Sequence, residues 1–447
     1  MLQDIKYAGE FNVDTLRLYS SDEIFADISN LVITIDLNEN IYQSSVIGTI
    51  VIGDANNLIE KLPITGQEYL DLKISTPGAI HSEDTIDFTG DKSLYVYDVV
   101  ARESLSAGSQ VYTLSVSTIE PLRNQNIRIS KSYTKTVSEI VRDILKNTFE
   151  TSKKLFIEKT KGVRKIVSPN SHPFTLISRL KREAKSAKYN SPHYLFFENI
   201  NGFHFRTLQD LVNQPIKHIF HTGDKNLDED RENSNYLEDT TIGQSFRRIK
   251  SFKFSSLNNW YDSNQSGMLG STLITHDIYT KSYTKKTFDY ITNFKKYDRI
   301  ESQKPMYNAT ALKQDFGTFE DSRLFIHPVS RVGTNSYDKD AQYYKDGKTQ
   351  YDSSVPEDFI SDRHSKVAEL NSGISINMIV HGHTGISVGD MVDIRFPIVG
   401  EDHDNERIEK TTSGNYLISH LRHSFVLATN QHEIHLRVVK DGKGGIL

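Results

Sequence analysis

Alternation of apolar and polar residues is strongest at the two ends of the chain. In "NLVITIDLNENIYQSSVIGTIVIGD" it predicts two strands, 31–37 and 46–52, joined by a polar turn and ended by Gly53-Asp54. "YLDLKI" from Tyr69 predicts another strand, and "LYVYDVVARES" with "QVYTLSVST" predicts a second hairpin. Residues 1–118 read as a unit built almost wholly of antiparallel strands.

The period changes after residue 118. In "KTVSEIVRDILKNTF" the apolar residues Val137, Ile140, Val141, Ile144 and Leu145 form the stripe of an amphipathic helix. Thr136 with Glu139 supplies a capping box. A second helix is predicted from His172-Pro173 through "FTLISRLKREAKSA", because Pro suits a first helical turn. "HYLFFENINGFHFRTL" predicts a hairpin with its tight turn at Asn201-Gly202. Residues 119–219 therefore read as a small α+β domain.

From 220 to 370 the pattern weakens. "TGDKNLDEDRENSNYLED" and "YDKDAQYYKDGKTQYDSSVPED" read as long loops or partly disordered arms. "QSFRRIKSFKFSS" and "GSTLITHDIYTKSYTKKTFDY" between them alternate as strands, which makes 220–370 an inserted β-rich region. Residues 371–447 return to strands.

That last unit repeats the first. A constant shift of 322 lays 69–116 on the C-terminal unit without a gap, over 48 positions. Tyr69 to Ile74 fall on Met391 to Phe396, and Leu94-Tyr95-Val96 fall on Tyr416-Leu417-Ile418. Tyr112, Leu114 and Val116 fall on Ile434, Leu436 and Val438, while Gly78, His81, Ile86 and Thr89 meet Gly400, His403, Ile408 and Thr411. The reading is an internal duplication of one β unit.

The duplication bears on a group of histidines. His420, His423, His432 and His435 lie within sixteen positions and could mark a metal site or a hairpin with polar outer residues. His435 takes the place of Thr113, opposite Ile434 and Leu436, and His420 that of Asp98. The histidines are expected to replace outward polar residues, and no metal ligand is assigned.

Composition narrows the classes that remain. A chain of 447 residues favours two to four domains, and 22 Tyr with 22 Phe favour sheets. There is no Cys, which excludes thiolate nucleophiles, Cys zinc sites and disulfides and fits folding in a cytosol. No stretch reaches the ~18 apolar residues of a transmembrane segment, and the N-terminus shows no export signal. Residues 1–118 hold 6 Lys and Arg against 18 Asp and Glu, a net −12, and residues 119–219 hold 19 against 8, a net +11. The basic segment suits nucleic acid or an acidic neighbouring subunit, the second being the better fit.

Catalytic signals are weak. "KDGKTQ" resembles the end of a phosphate-binding loop, but Gln342 stands where its first glycine is needed. "HGHTG" at 381–385 lies between predicted strands and reads as a turn. No short motif marks a carboxylate pair for sugar hydrolysis. The chain is read as no enzyme, with no catalytic, cofactor-binding or metal residues and no cofactor.

"GTIVIGDANNLIEKLPITGQEYLDLKIS", "PHYLFFENINGFHFRTLQDL" and "SGNYLISHLRHS" resemble the central baseplate hub protein of contractile-tailed phages of the large myovirus group. The likeness covers about 1–219 and 370–440. It implies a mainly β chain with two tube-like antiparallel β-barrel domains, 1–118 and 371–447, beside the α+β domain and the inserted region. It also implies a homotrimer in the virion's tail baseplate, assembled in the host cytoplasm. Tail tube protein, central spike protein and other baseplate proteins are the implied partners, with no stable nucleic-acid binding, since the acidic first unit offers phosphates no cation. A carbohydrate-binding or fibre-type β protein is the alternative, and a glycosidase the next.

Overall fold

The fold was obtained as a computed structural model, which describes residues 5–442 apart from 21–23, 63, 78–83, 107, 223–244, 258, 279–280, 301–316, 330–343, 346–347, 350–354 and 399–407. The architecture is mainly β. The first unit contains β1 (Asn12–Tyr19), β2 (Phe25–Asp27), β3 (Val32–Asn40), β4 (Ile47–Asp54), β5 (Tyr69–Ser75), β6 (Thr85–Phe88), β7 (Leu94–Ser106) and β8 (Ser109–Ser117). Strict alternation puts Ile50 and Ile52 of β4, Leu70 and Leu72 of β5, and Tyr112, Leu114 and Val116 of β8 into one core.

Next come β9 (Ile129–Thr136), β10 (Lys154–Ile157), β11 (Val163–Ser171), β12 (Tyr194–Asn199) and β13 (Gly202–Thr207), with helices Val137–Asp143 and Pro173–Glu183. The capping box is formed: Glu139 N–H donates to Thr136 Oγ1 at 3.3 Å and Thr136 N–H donates to Glu139 Oε2 at 3.0 Å. The first helix continues as a π-helical turn, Ile144–Thr148. The β12–β13 hairpin turns one residue earlier than expected, since Asn199 already pairs with Gly202. Gly202 serves another end: at φ +135, a Cβ there would lie 2.2 Å from the Lys154 carbonyl oxygen of the parallel neighbour β10.

β14 (Ile216–His221) and β15 (Ile249–Leu257) follow. Then β16 (Gly270–Asp277), β17 (Ser282–Asp289) and β18 (Leu324–Val329) make a separate three-stranded sheet, in keeping with the strands read in the inserted region. β19 (Tyr344–Lys345) and β20 (Lys348–Thr349) pair with each other. Most of the two charged tracts lies outside the described residues. A helix, Ile360–Ser372, leads into β21 (Ile374–His381), β22 (Met391–Arg395), β23 (Gly414–Val426) and β24 (Gln431–Lys440). "HGHTG" is the turn between β21 and β22, where the Thr384 and Thr76 hydroxyls are 3.0 Å apart.

The two tube-like barrels expected from the sequence meet as one sheet. Its fourteen strands run β15-β21-β24-β23-β3-β4-β8-β7-β5-β1-β2, with β14, β22 and β6 attached, and it does not close on itself among the described residues. The C-terminal strands thus share their sheet with β14 and β15, drawn from 216–257.

Within this sheet the duplication holds residue by residue. Tyr69↔Tyr95 and Leu70↔Leu94 correspond, 322 positions on, to Met391↔Leu417 and Val392↔Tyr416. Val96↔Val116, Asp98↔Ser115 and Val99↔Leu114 correspond to Ile418↔Val438, His420↔Arg437 and Leu421↔Leu436. A β-bulge interrupts both ladders at the same step, between Val96 and Asp98 and between Ile418 and His420. The likeness extends beyond the aligned residues: Leu37↔Gly48 and Ile50↔Leu114 on one side match Phe254↔Ile376 and Met378↔Leu436 on the other. One unit is β3-β4-β8-β7-β5 and the other β15-β21-β24-β23-β22. The loop pairs Gly78/Gly400 and His81/His403 lie outside the described residues.

Candidate assembly surface

The two units join where β23 pairs with β3, in the register His420↔Asn40, Arg422↔Asn38, Ser424↔Asp36 and Val426↔Thr34. Their cores interlock there. Phe425, carried on β23, is buried in the first unit's core, and Ile41, just after β3, in the second's. Beneath the seam lies Glu39, whose carboxylate accepts the N–H groups of Ile200 at 2.7 Å and Val388 at 2.8 Å. It ties both units to the β12–β13 turn. Burial pushes its pKa up to about 8 against the pull of those two bonds.

A groove of about 800 Å³ crosses the seam on the outer face of the sheet. Asn38, Asn40, Asn377, His420 and His435 line it together with three cations, Lys253, Arg422 and Arg437. The one acid among its described lining residues is the buried Glu39. Arg437 Nε is buried there without a hydrogen-bond partner.

The histidines divide into two kinds. His420 and His435 line this groove on the outer face, half-buried. His423 and His432 point inward and are fully buried, which corrects the outward reading for these two. Their rings meet through Nδ1 and Nε2 at 3.1 Å, and His432 stacks on Phe425 at 4.0 Å between centroids. The bulge after Ile418 switches the face of β23, so Leu421, His423 and Phe425 all turn inward. On β24 the signal was in plain sight, since His432 keeps the two-residue spacing of Ile434, Leu436 and Val438. Gly382 makes room for His432, as a Cβ there would fall 2.0 Å from the ring. Burial lowers the pKa of His423 to about 3 and that of His432 well below the usual histidine range. Among the described residues no group of three or more His, Asp or Glu is arranged to hold a metal ion.

Part of the basic segment's charge is held in ion pairs. Lys153 is buried between Glu120 and Glu198, at 2.5 Å from each. Glu198 also accepts the Thr118 hydroxyl at 2.7 Å and the Val46 N–H at 3.2 Å, so this network pins the α+β domain to the first unit. These two carboxylates are sealed under a lysine rather than facing a cleft. Arg206 pairs with Asp210 at 2.5 Å, and Lys217 with Asp390 at 3.1 Å. A second cavity, about 550 Å³, lies between helices Pro173–Glu183 and Ile360–Ser372 and is lined by Arg179, Arg182, Phe325, Phe359 and Arg363.

Among the described strands, β7 pairs beyond its bulge with β8, and β15 pairs with β21. Asp98, Val100, Arg102 and Glu103 are exposed on β7, as are Lys250, Phe252, Lys253 and Leu257 on β15. In the other unit the corresponding strands, β23 and β3, cover each other.

Comparisons with known proteins bear on this arrangement. No family profile matches the chain. The probable baseplate hub protein gp334 of Vibrio phage KVP40 is 20% identical over 413 residues, which span 89% of this chain and 87% of that protein. This chain is similar to a phage baseplate hub protein. The resemblance to a baseplate hub protein read from the sequence is thus supported. Two solved structures share the fold. The 43 kDa tail protein of prophage MuSo2 from Shewanella oneidensis matches with a TM-score of 0.50 at 13% identity, covering 96% of this chain and 98% of that one. The tail protein from Neisseria meningitidis MC58 matches with a TM-score of 0.52 at 10% identity, covering 97% and 98%. Among the described residues no helix is long and apolar enough to cross a membrane.

Proposed function

We propose that three copies of this chain form the central hub of a phage tail baseplate, a ring that joins the six-fold tail tube to the three-fold central spike. The observation that carries this reading is the duplicated register, including its bulge. Two like units per chain make six near-equivalent faces in a trimer. Such a ring docks on a six-fold tube while keeping true three-fold symmetry for a spike. The tube-like units are then 1–118 and 371–447, the latter completed by β14 and β15, with 119–219 and the rest of 220–370 on the outside.

The hub is a structural protein of the virion, assembled in the host cytoplasm and without enzymatic activity of its own. Its partners are tube, spike and other baseplate proteins. Duplex DNA binds only weakly at ~0.15 M salt, because the first unit is acidic and part of the basic domain's charge is held in ion pairs. Light scattering of the purified chain, alone and co-expressed with neighbouring tail proteins, tests the assembly, with negative-stain microscopy to show rings. Monomers or dimers under both conditions would overturn the hub reading. Submicromolar DNA affinity with a steep salt slope would overturn the statement on nucleic acid.

A further inference from the structure

One row of polar side chains crosses the outer face of the second unit. Asn40 lies opposite His420, His420 opposite Arg437, Arg437 opposite Asn377 and Asn377 opposite Lys253, so the five stand side by side over β3, β23, β24, β21 and β15. A second row, two residues along, sets Arg422 between Asn38 and His435. Together they floor the groove of about 800 Å³. Burial lowers the pKa of His420 and His435, so at neutral pH the two rings offer polar nitrogens without adding charge. Glu39 does not neutralise the site, because it is buried with its two carboxylate oxygens turned to the Ile200 and Val388 amides. Three cations therefore share one groove, and Arg437 Nε is buried without an acceptor.

The first unit repeats the row with the sign reversed. In its ladders Asp98 stands for His420, Ser115 for Arg437, Thr49 for Asn377 and Asp36 for Lys253. Val100 and Thr113 likewise stand for Arg422 and His435. The backbone is duplicated and the charge is not. A ring of like units would show any partner six similar faces, and this difference divides them into three cationic and three acidic ones.

We propose that the groove is the docking site for an acidic segment of another baseplate protein, whose carboxylates lie between Arg422 and Arg437. This rests on the hub reading and adds to it how a three-fold partner tells the second unit from the first. A guanidinium takes a carboxylate through two parallel N–H···O bonds, which would give Arg437 the acceptor it lacks. The patch is also bounded. In the next row along the strands Ser424 lies between Glu433 and Asp36, so a phosphate chain leaving the groove would meet acids, and Asp98 beyond them, whereas a short run of carboxylates ends inside. A neighbouring hub copy is not the occupant, because in a ring of near-equivalent units the acidic and cationic faces share one side of the wall.

Fluorescence anisotropy of the full chain at ~0.05 M salt tests this with a labelled oligoglutamate peptide and a single-stranded oligonucleotide of equal charge. Arg422 is exposed, so Arg422→Glu should fold normally and weaken oligoglutamate binding about tenfold, with one site per chain in the unaltered protein. Arg437→Gln checks the same point from the neighbouring strand. Lys135→Glu, an equal change of net charge on an exposed position of the α+β domain, should leave the affinity within about twofold. Equal losses in Arg422→Glu and Lys135→Glu, or no loss in either groove variant, would overturn the site. Tighter binding of the oligonucleotide, lost in the same groove variants, would overturn the acidic protein partner in favour of nucleic acid. Monomers in light scattering that still bind oligoglutamate through Arg422 would overturn the hub and keep the groove, and rings indifferent to Arg422→Glu would do the reverse.

Discussion

The two β units carry one ladder in opposite surroundings. In the first, the edge strand β3 is covered and its Ile35 and Leu37 are fully buried. In the second, β15 occupies the same place with Phe252, the counterpart of Ile35, exposed and Phe254, the counterpart of Leu37, partly buried. The hairpin tips reverse this order. That of β7 and β8 is polar, with Arg102 Nε donating to Gln110 at 3.0 Å and Gln110 donating to Asp54 at 3.0 Å. That of β23 and β24 is buried, with His432 N–H donating to the Gly9 carbonyl at 2.8 Å and Phe425 edge-on to Phe11 at 5.1 Å between centroids. Register is therefore set by the repeated strands and burial by what lies against them.

The sharpest way to break this comparison is at Phe425, which belongs to the second unit by sequence and to the first by packing. Phe425→Ala should cost about 3–5 kcal/mol in urea or thermal unfolding, because it empties a core on the far side of the seam. Ser104 holds the matching place on β7 and is exposed, so Ser104→Ala should stay within about 0.5 kcal/mol. Hydrogen exchange should show both units losing protection together in Phe425→Ala. Loss confined to β23 and β24 would mean that the units unfold separately and that the seam is only a contact.

How far the sequence showed this follows from the range over which each cause acts. Alternation is local, so β3, β4, β5, β7, β8 and the capped helix at Thr136 were legible, and the constant shift of 322 showed the repeat. Fusion of the units through β3 and β23 was not legible, because strand pairing across nearly 400 residues leaves no local trace. The bulge after Ile418 adds a residue that changes which face follows it, and a strict two-residue count past it misplaces His423. His432 has no such bulge before it, and the two-residue period of Ile434, Leu436 and Val438 places it inward.

The buried histidines give the next largest effect. A histidine with a depressed folded pKa binds its proton in the unfolded chain first, so stability is complete above about pH 6.5 and falls as pH drops toward the folded value. With His423 at about 3, this group alone costs on the order of 2 kcal/mol between pH 7 and pH 5, and His432, lowered well below the usual histidine range by burial, acts in the same direction. The first unit has Ala101 and Gln110 at the aligned positions and lacks this sensitivity. Exchange measured at pH 7 and pH 5, corrected for intrinsic rates, should show the β23–β24 tip opening while the β7–β8 tip is unchanged. His423→Leu should flatten the acid limb of the stability curve; an unaltered limb would place the acid sensitivity elsewhere.

The smallest effect bears on whether β15 is a rigid edge. Lys250 on β15 reaches over β21 to Glu433 on β24, 2.7 Å away, and both side chains are partly exposed. If that ion pair held β15 in place, the strand would be loosely attached and a poor surface for another copy. The ladder to β21 and the packing of Phe254 on Phe396, 5.4 Å between centroids, argue that backbone pairing and apolar contact hold it instead. Lys250→Ala should then cost less than about 1 kcal/mol, and the difference from the unaltered chain should vanish in ~1 M salt, where exposed pairs are screened. Exchange protection along β15 should persist in the variant. A cost above about 2 kcal/mol, or loss of protection from Ser251 to Leu257, would show that the strand is fastened by charge rather than by its ladder and apolar packing.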